Sequence, residues 1–295
     1  MSEAVTQARG APSLSQTVAL TAAAMVAFAA NSLLCRLALQ HQGIDPASFG
    51  SIRLVSGALT LAIVVRLRAQ TPPAARADWL AAAMLFAYVA FFSFAYLSLS
   101  AGTGALILFG AVQLTMLGAG LGSGERFGPL AWLGFVLAAG GLVYLVLPGV
   151  AAPPLLGAVL MAIAGVAWGV YSLRGRGVAD PLAATARNFL RAVPLALGLS
   201  LIFMTRAHAD ATGIALAVAS GALTSGLGYV IWYAVLPRLS AMQAATVQLS
   251  VPLLAAIGGV LLLSEAITPR LGAASVAILG GIAIVLSQKS RNARR

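Results

Sequence analysis

The sequence predicts an all-α integral membrane protein with ten transmembrane helices, arranged as two inverted five-helix repeats around a central cavity. Three observations predict this fold. Only 8% of the 295 residues are charged and 60% are hydrophobic, with a mean hydropathy of +0.96, whereas a soluble domain carries about 25% charged residues. Uncharged stretches long enough to cross a bilayer follow one another along the chain. The second half of the chain also repeats a pattern found in the first half.

The individual spans are set by gaps between charged residues and by Pro and Gly breaks. A helix needs about 20 apolar residues to cross the hydrocarbon core. The run from Trp79 to Gly124 contains 46 uncharged residues, which suits two helices joined near residues 98–102. The predicted spans are approximately 14–37, 46–65, two within 79–124, two within 127–173 on either side of 148–154, 182–204, 213–236, 241–264 and 271–288. The connections are short, which leaves no room for a soluble domain.

The basic residues predict the orientation of these spans, because cytoplasmic loops of membrane proteins carry an excess of Lys and Arg. With the N-terminus in the cytoplasm, 12 of the 18 basic residues fall in inside segments and only Arg36, Arg206 and Arg270 fall at outside ends. Both termini are therefore expected in the cytoplasm. The polar segment before Thr17 lacks the basic start and apolar core of a signal peptide. A single cysteine, Cys35, excludes an intramolecular disulfide.

An internal repeat divides the chain into two halves, predicted at 14–147 and 154–288, with cytoplasmic tails at 1–13 and 289–295. Glu125, followed by Pro129 and a Gly-Gly pair, matches Glu265, followed by Pro269 and a second Gly-Gly pair, at an offset of 140 residues. Five helices per repeat is an odd number, so the halves must cross the membrane in opposite directions. Inverted repeats place a substrate site near the midplane at their interface. This pattern favours a transporter over a helical scaffold without transport activity.

The motifs of the two halves resemble those of the EamA-type, ten-helix members of the drug/metabolite transporter superfamily. Trp168-Gly169 matches the Trp-Gly pair that opens each repeat in this family, whereas the first half has Phe28-Ala29 instead. Glu125 and Glu265 match the acidic residue that ends the fourth helix of each repeat. Among these proteins the chain is most similar to bacterial exporters of aromatic and other neutral amino acids. The resemblance implies a multi-pass protein of the bacterial inner (plasma) membrane.

The positions of the charged residues narrow the expected substrate. Carboxylates occur only at predicted helix ends or in loops, whereas cation sites and proton relays usually place one within a helix. Cationic drugs and coupling to protons through a central carboxylate are therefore disfavoured, and facilitated diffusion fits better. Phosphorylated substrates are disfavoured because helices 8–10 have no internal basic residue. Arg53, Arg187 and Arg191 are candidates for binding a carboxylate, but their near-terminal positions favour snorkelling or pairing with Asp45 or Asp180.

Neutral polar and aromatic side chains are the remaining candidates for a site, since polar groups in hydrocarbon must find partners. The predicted substrate-binding residues are Asn31, Tyr88, Gln113, Trp168, Tyr171, Tyr229 and Gln248, and the predicted gating positions are Gly226, Gly228 and Pro252. We expect an exporter of neutral or zwitterionic metabolites, mainly amino acids with apolar or aromatic side chains. The alternative is a broad exporter of uncharged metabolites or drugs. No catalytic residue, metal, cofactor or nucleic-acid partner is expected, and the predicted state is a monomer in the lipid bilayer.

Overall fold

The computed structural model of the chain describes residues 14–68, 77–124, 128–149, 151–175, 178–239, 244 and 247–292, with side chains described as far as residue 287. Within these ranges the chain is helical apart from short connections and one isolated β-bridge. The helices are α1 (Leu14–Gln40), α2 (Pro46–Arg66), α3 (Trp79–Ala95), α4 (Ala101–Gly122), α5 (Pro129–Val146), α6 (Leu155–Arg174), α7 (Pro181–Ile202), α8 (Ala211–Ala219), α9 (Gly228–Val235), α10 (Ser250–Leu263) and α11 (Pro269–Asn292). A π-helical segment, Ser220–Leu227, joins α8 to α9 without a break.

Seven helical stretches in the described ranges are long and apolar enough to cross a membrane, so the chain is a multi-pass membrane protein. They are α1, α2, α4, α5, α6, the stretch from α8 to Arg238, and α11 as far as Ser287. The other three predicted spans coincide with α3, of 17 residues, with α10, of 14 residues, and with α7, which carries Arg187 and Arg191. Part of the predicted 241–264 span lies outside the described residues.

Aspartates begin four of the helices, which explains why acidic residues lie at helix ends. In each case the carboxylate accepts hydrogen bonds from backbone N–H groups of the first turn, which would otherwise have no partner. The aspartates are Asp45 (α2), Asp78 (α3), Asp180 (α7) and Asp210 (α8). Glu265 follows the end of α10. Among the described residues, no carboxylate lies within a helix, as predicted; Glu125 is outside the described ranges.

Most of the helix contacts join a helix of the first half of the chain to a helix of the second half. Helix α2 packs on α7 and on the π segment, and α3 packs on α6 and α7. Helix α1 packs on α8, the π segment, α9 and α10, whereas α4 packs on α6 and α10. Helix α5 packs mainly on α11. The apolar core therefore runs between the first and second halves of the chain rather than within each half.

Helix ends meet at two opposite faces of this bundle. At one, called the Glu265 face, Arg36 Nε lies 3.2 Å from Glu265 Oε1, and Glu265 Oε2 accepts a hydrogen bond from the Ala101 N–H at 2.8 Å. At the same face Ile44 and Ala209 form the isolated β-bridge. The opposite face, called the Asp78 face, contains the ion pair between Asp78 and Arg174, which joins the start of α3 to the end of α6.

Candidate functional site

A cavity of about 560 Å³ lies between the helices and opens at the Asp78 face. Its lining reaches Asp78, Arg174 and Pro181 at that face, where α3 and α7 begin and α6 ends. Towards the other face it ends at residues such as Asn31 and Phe92, and the outer residues that form the Glu265 face do not line it. Among the described residues, the cavity therefore reaches the Asp78 face and ends short of the Glu265 face.

All seven residues predicted to bind substrate line this one cavity: Asn31, Tyr88, Gln113, Trp168, Tyr171, Tyr229 and Gln248. They come from α1, α3, α4, α6, α9 and the short segment before α10. Of the predicted gating positions, Gly226 lies within the π segment, Gly228 is the first residue of α9, and Pro252 lies in the first turn of α10. Their role in gating stays a prediction.

Aromatic rings in contact, some tilted and some stacked, form one wall of the cavity, with Trp168 at their centre. The Trp168 ring lies 4.7 Å from Tyr88, 5.4 Å from Tyr171 and 5.6 Å from Tyr229, measured between centroids. Tyr229 also stacks on Tyr233 at 6.0 Å. Each aromatic pair of this kind contributes about 0.5–1.5 kcal/mol beyond its buried area. The wall therefore presents a rigid apolar surface to anything that enters the cavity.

Hydrogen bonds around Asn31 join α1 to the π segment. The Asn31 Oδ1 atom accepts hydrogen bonds from Ser220 Oγ at 2.7 Å and from Thr224 Oγ1 at 2.6 Å. The Asn31 Nδ2 atom donates to Ser225 Oγ at 3.4 Å. Since π turns are frequent at functional sites, this network places an uncommon backbone geometry directly behind the cavity. The sequence predicted Asn31 but gave no signal for the π segment.

The prediction that Arg53 snorkels to a helix end or pairs with Asp45 is wrong. Arg53 is 1% exposed, and its guanidinium faces the interior because α2 is packed against α7 and the π segment. Its Nε atom donates to Ser225 Oγ at 3.2 Å and its Nη2 atom to Tyr88 Oη at 2.9 Å. The Asp45 carboxylate is already used by the backbone N–H groups of α2 and of His208.

The guanidinium of Arg53 is not fully satisfied. The Nη1 atom is buried and has no hydrogen-bond partner among the described residues, and no described carboxylate forms an ion pair with Arg53. The group lies over the rings of Tyr88 and Phe92, with its central carbon 5.1 Å and 5.0 Å from their centroids. Both rings line the cavity. A buried and unpaired cation therefore lies immediately behind the closed end of the cavity.

The mouth of the cavity is more basic than acidic. Arg174, Arg187 and Arg191 line it together with Asp78. Burial raises the pKa of Asp78, but the Ala81 N–H and the guanidinium of Arg174 outweigh this effect and hold that pKa below 3.8. Asp78 is thus ionised at neutral pH and paired with Arg174 at 2.9 Å. Asp180 was also predicted to pair with an arginine within a helix. It instead forms an ion pair with Arg68, at 3.4 Å.

The cavity can hold a small molecule by neutral hydrogen bonds, aromatic packing and positive charge. Gln113 is 4% exposed and makes no hydrogen bond within the described ranges, so its amide is available to a ligand. In the part of the chain that the structure describes, no group of three His, Cys, Asp or Glu residues can hold a metal. Thr185 and Asn188 of α7 also line the cavity, and no sequence motif marks them.

Comparison with known proteins agrees with this arrangement of apolar helices and a central cavity. A family model described as EamA-like transporter family matches residues 155–287. The chain is 56% identical over 280 residues to a protein of Pseudomonas aeruginosa strain PAO1 named "Uncharacterized protein PA1977", and the match covers 95% of this chain and 98% of that protein. Residues 155–287, which make up the second half of the chain, are thus similar to the EamA-like transporter family.

A solved structure described only as "Crystal structure of protein" has the same fold. It superposes with a TM-score of 0.66 over 95% of this chain and 100% of the other, at 20% sequence identity. At that identity the similarity establishes the fold alone. The family match of residues 155–287 indicates a membrane transporter, and its substrate has to be inferred from the cavity.

Proposed function

We propose that the protein exports neutral or zwitterionic metabolites, mainly amino acids with apolar or aromatic side chains. The observation that carries this proposal is the cavity wall centred on Trp168, whose ring lies 4.7 Å from that of Tyr88 and 5.6 Å from that of Tyr229. A flat apolar side chain gains contact with such a wall, and the amide of Gln113 is available to a polar group of the same ligand.

Alternating access between inverted halves is the proposed mechanism, and the packing of the helices supports it. If α1–α5 correspond to α6–α11, with α8 and α9 counted as one span, several contacts have a counterpart under exchange of the halves. The contact of α3 with α6 corresponds to that of α8–α9 with α1, and the contact of α4 with α6 corresponds to that of α10 with α1. The contacts α2–α7, α4–α10 and α5–α11 each join two equivalent helices, so exchange of the halves leaves them unchanged.

The orientation follows from the basic loops. The Asp78 face includes Arg66, Arg68 and Arg174, so we assign it to the cytoplasm of a bacterium, with both termini on that side. The cavity then opens inward, which is the state in which an exporter collects its substrate. No carboxylate of the described ranges lies within a helix, so we propose a facilitator rather than proton coupling through a central acid.

The test is entrance counterflow in liposomes that contain the purified protein and excess unlabelled amino acid. We expect labelled phenylalanine and leucine to accumulate transiently without a pH gradient, and labelled lysine and glutamate to accumulate much less. A strict requirement for a pH gradient would overturn the facilitator mechanism. Transport of uncharged drugs without transport of any amino acid would favour the alternative, a broad exporter of uncharged compounds. The apolar character of the cavity wall is the observation that supports this alternative.

A further inference from the structure

Within the described part of the chain, Arg53 is a charge without a counter-ion, at a depth where charges are costly. It is the eighth residue of α2, so it lies about 10 Å from the helix start at a rise of about 1.5 Å per residue. An arginine at the centre of a spanning helix costs about 2.5–3.5 kcal/mol even by insertion measurements. Such residues normally pair with an acid or with backbone carbonyls. In the described ranges, the contacts of Arg53 are two hydroxyls and two aromatic rings.

Tyr88 connects this charge to the cavity. Its hydroxyl oxygen accepts the hydrogen bond from Arg53 Nη2 at 2.9 Å. The hydroxyl group can therefore still donate its own proton to another acceptor. No described residue accepts that proton. Tyr88 lines the cavity, so we infer that a ligand atom in the cavity accepts this proton. A phenol polarised by a guanidinium is a strong donor to an anion.

The chemistry of this donor pair selects a carboxylate. One guanidinium neutralises one negative charge, so a singly charged anion matches it better than a phosphate. The neighbouring surface is aromatic, with the Trp168 ring 4.7 Å from Tyr88, so the remainder of the ligand lies against an aromatic wall. Among the described lining residues no second acid is available to an ammonium group, since the acid there, Asp78, lies at the mouth and is paired with Arg174.

We propose that the closed end of the cavity is a carboxylate site, in which Arg53 acts through the Tyr88 hydroxyl on the carboxylate of an aromatic substrate. Recognition then depends on the carboxylate and not on the α-amino group. The substrate class is therefore aromatic monocarboxylates, of which aromatic amino acids are one part. This inference rests on the proposed function for its site, but it makes a separate prediction about which group of the substrate the protein recognises.

Three ligands that differ by one group test the proposal: phenylalanine, phenylpropionate, which lacks the amino group, and phenylalaninamide, which lacks the carboxylate. Binding is measured by the thermal stabilisation of the purified protein, and transport by competition with phenylalanine counterflow. We expect phenylpropionate to bind within about threefold of phenylalanine and the amide to bind at least tenfold more weakly, the loss typical of an unpaired buried charge. Equal binding of the amide, or none of phenylpropionate, would overturn the proposal.

Variants separate the carboxylate site from a general effect on the cavity. Tyr88→Phe keeps the ring and removes the hydroxyl, so the preference for phenylalanine over its amide should fall about tenfold, with Arg53→Gln as a second variant. Tyr144→Phe is the matched control, because Tyr144 is 44% exposed and lies outside the cavity lining, and it should keep the preference. A preference unchanged in both Tyr88→Phe and Arg53→Gln would contradict the proposal.

The two proposals fail in different ways. Carboxylate-dependent binding that disappears in Tyr88→Phe, without amino-acid transport by the wild type, would reject the proposed function and keep the carboxylate site. Amino-acid transport in which the amide competes as well as phenylalanine would keep the proposed function and reject the carboxylate site.

Discussion

The guanidinium of Arg36 lies 3.2 Å from the carboxylate of Glu265, and this ion pair ties α1 to the end of α10. The same two side chains also bind the ends of α3 and α4, because Arg36 Nη1 donates to the Tyr96 carbonyl at 3.0 Å and Glu265 accepts from the Ala101 N–H at 2.8 Å. Four helix ends therefore meet at one pair of charges. In an alternating-access cycle these contacts must break before the Glu265 face can open.

Replacement of Glu265 by Gln should favour opening of that face. The variant loses the ion pair, which is worth about 1–2 kcal/mol for such a partly buried group, and so the open state should become roughly tenfold more populated. Cys35, the single cysteine of the chain, is buried next to Arg36 and reports on this change. The measurement is the rate at which a maleimide labels Cys35 in detergent-solubilised protein.

The matched control for this measurement is Asp78→Asn, which breaks the ion pair at the opposite face. We expect that variant to leave the labelling of Cys35 unchanged, whereas Glu265→Gln raises the rate. Equal labelling rates in the wild type and Glu265→Gln would mean that the ion pair does not hold the Glu265 face closed.

Asp45 should make a pH-dependent contribution to stability. Burial raises its pKa, but hydrogen bonds from Ser48, Ala47 and His208 outweigh burial and bring the pKa below its ordinary 3.8. The folded state therefore binds the proton less tightly than the unfolded state, so the stabilisation is complete above about pH 5 and disappears as the pH falls through the folded pKa. Asp45→Ala should lower the melting temperature by about 2–4 °C at pH 7.

Thermal unfolding of Asp45→Ala and the wild type at a series of pH values checks this prediction. The difference between the two proteins should be constant between pH 5 and 7 and shrink at lower pH, as far as the fold persists. A difference that grows on acidification would contradict the assignment of the lowered pKa to Asp45.

The contact between α2 and the π segment should be sensitive to a single methyl group. A Cβ atom at Gly221 would collide with the Arg53 carbonyl and the Ser56 side chain, and the first of these is backbone that cannot move aside. Gly221→Ala should therefore lower the melting temperature and disturb Arg53. Gly198→Ala is the control, since a Cβ there meets nothing within 4 Å and alanine favours the helix. Similar stability of Gly221→Ala and Gly198→Ala would show that the π segment can move away from α2.

Local signals made most of the helices and the residues of the cavity predictable. Charge gaps marked the spans, and a polar or aromatic side chain inside a span needs a partner, which selected Gln113 and Trp168. The depth of Arg53 was not predictable in this way, because it depends on α7 and the π segment covering that side of α2. The π segment itself depends on the close approach that Gly221 and Gly226 permit, which is a tertiary contact without a local sequence signal.

The most direct test of the central claim, that the cavity around Trp168 carries aromatic amino acids, is the initial rate of phenylalanine counterflow in wild-type, Trp168→Ala and Trp132→Ala proteoliposomes. Trp132 is 46% exposed on α5 and lies outside the cavity lining, so it controls for the loss of a tryptophan. We predict counterflow in the wild type, a rate about tenfold lower in Trp168→Ala because the wall loses its central ring, and an unchanged rate in Trp132→Ala. Absence of counterflow in the wild type, or equal rates in all three proteins, would contradict the claim.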